Sequence, residues 1–140
     1  MQDLTTVECV DEWGDPVRVA ICRGNYEAGD GLALLALDVT DPDDEDAYLD
    51  VWACLTVNLP CDPVAAAWCS EPGHVVVDAN DVPAALLDAL VGAGVIRLSG
   101  RSVRSGYCSY PLATVPPCAL AGIRGYEETV RELDTGQVQA

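Results

Sequence analysis

The stretch AYLDVWACLTVNLP, Ala47 to Pro60, decides how the rest of the chain is read. Its odd positions Leu49, Val51, Ala53, Leu55, Val57 and Leu59 are all apolar, and its even positions include Asp50, Thr56 and Asn58. That is the period of a strand with one buried face. Asp50 and Trp52 share the opposite face, where a partner can read them. Directly upstream, Asp41, Asp43, Asp44, Glu45 and Asp46 form an acidic run that continues to Asp50.

Charges this close repel when desolvated, so residues 41–46 are expected to be a solvated acidic loop between two strands. A calcium loop does not fit. Asp41, Asp43 and Glu45 alternate correctly, but the sixth place holds Asp46 instead of glycine and the twelfth Trp52 instead of glutamate. Further upstream, Leu32 to Val39 is a nearly continuous apolar run, which predicts a buried strand. Val17, Val19 and Ile21 alternate with Arg18 and Ala20 in another. The glycine-rich Arg23 to Gly31 joins these two as a hairpin. Residues 1–16 are acidic and end in the turn signal Gly14-Asp15-Pro16.

Downstream, Asp62-Pro63 is a helix start with Asp as N-cap, followed by two turns at most. His74 to Asp78 reads as a strand. Val82 to Val91 reads as the principal helix, capped by Asn80 or Asp81, with Leu86, Leu87, Leu90 and Val91 as its apolar stripe and Asp88 facing away. Val95 to Leu98 and Tyr107 to Val115 pair as strands around the loop SGRSVRSG. There Arg97, Arg101 and Arg104 gather, and pairing with the protein's own acids is favoured over anion capture. Tyr126, Val130 and Leu133 have helical spacing and predict a short C-terminal helix stopped by Gly136. The whole is a single α+β domain, residues 1–140, with a mainly antiparallel sheet of about five or six strands. Its core is expected within 17–115, with 116–140 as a C-terminal extension.

Net charge is −16, from 23 acids against 7 bases, every base an arginine. Such a field repels nucleic acid and acidic membranes and draws in cationic surfaces. Direct nucleic-acid or membrane binding is therefore not expected, and a basic protein surface is. No run approaches the roughly 18 apolar residues of a membrane helix, and the N-terminal stretch is acidic where a secretion signal is basic, so a cytoplasmic location is expected. The cysteines lack CxxC pairs and suit reduced thiols. Cys54, Cys61, Cys69 and His74 are the sole local group resembling a zinc set, and small buried hydrophobes explain these cysteines better. With one histidine and no thiol or serine partner spaced for it, no catalytic residue, metal or cofactor is assigned.

LTVNLP at Leu55 to Pro60, GVIRLSGR at Gly94 to Arg101 and SGYCSYPLATV at Ser105 to Val115, with Gly24-Asn25 and Asn80, resemble a small domain family encoded by phages, plasmids and integrated elements of actinobacteria and firmicutes. The resemblance spans about residues 24 to 115 and implies a mobile-element setting in a bacterial host cell, without a reaction. The acidic insertion and the C-terminal extension depart from the shorter members. Tyr107 and Tyr110 are expected to fill the core edge, and Gly100 and Gly106 to turn the chain. In that setting a rigidly presented row of carboxylates can imitate DNA phosphates before a basic nuclease groove. The expected function is thus inhibition of a Cas protein or restriction nuclease (anti-CRISPR or anti-restriction). Asp41, Asp43, Asp44, Glu45, Asp46, Asp50 and Trp52 are the partner-binding residues, helped by Glu8, Asp11, Glu12 and Asp15. The alternative is a non-enzymatic structural or adaptor protein that binds through uncharged surface.

Overall fold

The computed structural model describes residues 4–25, 32–41, 51–59 and 61–139. They form a small α+β domain. Strands β1 (Thr6–Val10), β2 (Pro16–Asn25), β3 (Leu32–Asp38) and β4 (Val51–Cys54) lie side by side in chain order, each antiparallel to its neighbour. After β5 (His74–Val76), the hairpin β6 (Arg97–Ser105) and β7 (Cys108–Thr114) completes a second antiparallel sheet in the order β5-β7-β6. Helices α1 (Pro63–Cys69), α2 (Ala84–Gly92), α3 (Pro117–Gly122) and α4 (Tyr126–Gln139) fill the connections and the C-terminal part, with the two-residue strand β8 (Arg124–Gly125) running parallel to β2.

The quoted stretch is where the two sheets meet. The Leu55 N–H donates to the Leu34 carbonyl at 2.9 Å, while the Leu55 carbonyl accepts the Asp78 N–H at 3.0 Å. One residue on, Thr56 bridges Val77, and the Val57 N–H donates to Val76. The chain leaves the first sheet and enters the second within three residues. The single strand expected over 47–60 is therefore divided. Its parity is broken as well: the register shifts opposite Ala36 and Leu37, Val51 turns outward at 41% exposure, and Trp52 and Ala53 both lean on the core. A bulge inserts one residue on one side and exchanges the faces beyond it.

Both sheets contribute one face to a shared core. Val19, Ile21, Leu34 and Ala36 come from the first, Val75, Val77, Ala113 and Val115 from the second, and Leu86 and Leu90 of α2 close it. Each of those buried leucines contributes about 1.5–3 kcal/mol by leaving water. On the outer face of the first sheet, Ala20, Cys22, Leu37 and Val39 meet Tyr126, Val130 and Leu133 of α4. On the outer face of the second, Val76, Val103 and Leu112 meet Ala65 and Trp68 of α1. Because β3 and β5 are covered on both faces, they read as apolar runs and not as alternations.

Asp62 caps α1 as its sequence implies, its Oδ1 accepting the N–H groups of Val64 and Ala65 at 2.9 and 3.0 Å. Other local expectations shift. The Asp81 and Val82 N–H groups donate to the Asp78 carbonyl and form a separate turn, so α2 starts after Pro83 with no side-chain cap, and Val91 lies outside the buried stripe. SGRSVRSG is not a loop: β6 runs through it to Ser105, and the chain turns at Gly106 and Tyr107. Tyr107 is fully exposed and fills no core edge, whereas Tyr110 does pack on the outer cluster. The acidic N-terminal stretch supplies β1, with Val7 in the core, and Pro117 opens the unforeseen helix α3. Gly136 does not stop α4, which continues to Gln139. Ile123 is buried in the shared core and β8 pairs with β2, which builds residues beyond 115 into the fold.

Candidate partner-binding surface

Asp43, Asp44, Glu45, Asp46 and Asp50 lie outside the described residues. Asp41 is exposed just past β3, and Trp52 is half-buried on β4, packed against the shared core. The structure gives Trp52 company that sequence periodicity does not: it lines a groove of about 530 Å³ with Val10, Asp11, Glu12 and Trp13 on one side and the start of α2, at Pro83 and Ala84, on the other.

The first wall is the β1–β2 turn. Its conformation is set by Asp11, whose Oδ1 accepts the N–H groups of Trp13 and Asp15, both at 2.9 Å. The Asp11 N–H donates to the Asp15 carbonyl, the Gly14 N–H returns to the Asp11 carbonyl, and Gly14 sits at φ +82°, where a side chain is strained. Trp13 is thus carried on a hydrogen-bonded turn yet is 78% exposed, with Val10 at 46% beside it. The second wall is firm for a different reason: Trp52 leans on the shared core, and α2 lies across β1. Among the described residues the groove's charged lining is acidic, Asp11 and Glu12.

A tryptophan in an acidic turn, Asp11-Glu12-Trp13-Gly14-Asp15, is the signal that periodicity passes over. Turns favour small polar residues, so an indole there has no local reason to exist. It is also the least buried tryptophan of the chain. By contrast Trp68 is structural. Its Nε1–H is shared between the carbonyls of Val75 and Ala113, each at 3.1 Å, and its ring lies 4.1 Å from that of His74.

The remaining candidates resolve differently. Arg101 lies over the Trp68 ring at 5.9 Å, and none of Arg97, Arg101 and Arg104 forms an ion pair with a described acid, against the expected self-pairing. The stripe they make along β6 is an outer edge of the second sheet. Arginines there discourage edge-to-edge pairing. His74 lines a second groove of about 430 Å³ with Trp68, Glu71 and Arg101, and its Nδ1 is buried without a hydrogen-bond partner. All seven cysteines are free thiols, and no group of three or more His, Cys, Asp or Glu among the described residues is arranged to hold a metal, so Cys54, Cys61, Cys69 and His74 do not converge. Burial pushes the Cys22 thiol up to about 11 and raises those of Cys9 and Cys69. Among the described residues, no helix is long and apolar enough to cross a membrane.

Compared with models of protein families, with curated proteins and with solved structures, the chain matches none of them.

Proposed function

We propose that this protein is a non-enzymatic inhibitor that occupies the basic, DNA-binding surface of a host defence nuclease, a Cas protein or restriction enzyme, on behalf of a mobile element. The observation that carries the reading is the groove in which an exposed tryptophan and a core-anchored one stand beside carboxylates with no base between them. Anchoring aromatics supply affinity at protein interfaces, and acidic surroundings bring a cationic partner in quickly and in register. The acidic run 41–46 extends the same charge along the sequence, and a net charge of −16 repels competing nucleic acid.

A second reading, an adaptor of a mobile element that binds through uncharged surface, draws on the β6–β7 hairpin, where Leu98 and Tyr107 are exposed. Salt separates the two. The protein is used to capture partners from a bacterial lysate containing defence nucleases, with washes of rising ionic strength and identification by mass spectrometry. The inhibitor reading expects a nuclease that elutes as salt rises and is lost when Asp43, Asp44, Glu45 and Asp46 become Asn or Gln. Partners that resist salt and ignore that change assign the adaptor role.

A further inference from the structure

We propose that the groove between Trp13 and Trp52 receives an arginine side chain from a basic segment of the partner, the guanidinium lying on the Trp13 indole with Glu12 and Asp11 at its rim. This rests on the reading of the groove as the partner-facing site and names the chemistry it takes.

Four observations lead there. First, Trp13 offers its ring to solvent while the Asp11 hydrogen bonds and Gly14 hold the backbone beneath it, so binding need not order the backbone of the turn. Second, among the described residues the lining holds acids and no base. Tryptophan is the strongest aromatic partner of a cation, and guanidinium is the cation that sheds water and stacks most readily. Third, at about 530 Å³ the groove is large enough to admit an arginine side chain. Fourth, the protein makes this contact once within itself, Arg101 over Trp68 at 5.9 Å. A second copy of the chain is a poorer occupant, since it brings another −16 charges to the encounter.

The groove is tested with acetylated tetra-arginine amide, followed by calorimetry and tryptophan fluorescence, beside tetralysine and tetracitrulline amides. Citrulline keeps the planar shape of arginine and removes the charge. Arginine is expected to bind, lysine more weakly and citrulline not at all. Trp13→Ala, whose circular dichroism should match wild type because the ring is exposed, is expected to weaken arginine binding about tenfold. Glu12→Gln should weaken it by a smaller factor. Neutralising Asp43 to Asp46 should leave the Trp13 dependence in place. Equal affinity for citrulline, or unaltered binding in Trp13→Ala, overturns the proposal. So does a Trp13-dependent self-association seen by sedimentation without peptide binding, which would give the groove to a second copy. Nuclease capture that persists when peptide binding fails removes this inference alone. Trp13-dependent peptide binding with no nuclease captured keeps the groove and removes the inhibitor reading.

Discussion

The Thr56 hydroxyl accepts the backbone N–H of Leu34 at 3.2 Å, inside the seam where the two sheets join. Thr56 is one of the few buried polar side chains. Thr56→Val keeps the shape and removes the acceptor from a buried donor, so it is expected to cost about 1–3 kcal/mol in urea unfolding, with Thr56→Ser closer to wild type.

Gly73 and Gly14 both hold positive φ, at +77° and +82°, but a Cβ at Gly73 would meet the Val115 carbonyl oxygen at 2.8 Å whereas at Gly14 it meets nothing. Gly14→Ala therefore carries only the backbone strain, about 1–2 kcal/mol. Gly73→Ala carries that and a backbone collision. Thermal unfolding of the two variants should show the larger fall for Gly73→Ala, together with slackening of the hydrogen bond from the Val115 N–H to the Gly73 carbonyl, now 2.7 Å.

Thiol labelling should divide the cysteines. Cys54, Cys61 and Cys118 are exposed and are expected to react first, while Cys22 is buried with its thiol pushed up to about 11 and should be the slowest. Mass spectrometry of timed alkylation reads the order. Between pH 9 and about 11 an unfolded Cys22 thiol ionises while the folded one does not, so in that window its contribution to stability falls as pH rises.

Asp78 has its carboxyl raised, chiefly by burial and then by the charge and hydrogen bond of Asp81. The folded protein therefore holds that proton more tightly than the unfolded chain does. The contribution of Asp78 to stability grows as pH falls through the raised value towards 3.8 and is absent at neutral pH. Asp81→Asn should bring the Asp78 titration part of the way back down, measured by carboxyl-carbon NMR.

Much of the framework is legible locally. β3 is bounded by turn residues and apolar throughout, α1 announces itself by Asp62 and Pro63, and Tyr126, Val130 and Leu133 lie on one helical stripe that covers the first sheet. The start of α2 is not legible locally, because Asn80 and Asp81 are good caps that the Asp78 carbonyl draws into a turn instead. The part of β6 from Ser99 to Ser105 reads locally as a loop because Ser, Gly and Arg suit an exposed edge strand as well as they suit a turn.

The α+β class, the antiparallel hairpins, the starts of α1 and α4 and the strongly acidic character are legible in the chain alone, because each follows from periodicity, capping or charge over a few neighbouring residues. Long-range contacts are what make Leu55 and Val57 serve different cores, turn Val51 outward through a register shift, and bring Trp13 and Trp52 to one groove. These depend on hydrogen bonds and contacts between segments far apart in the chain, and a side-chain period of two carries no information about which strand comes alongside or where a bulge resets it.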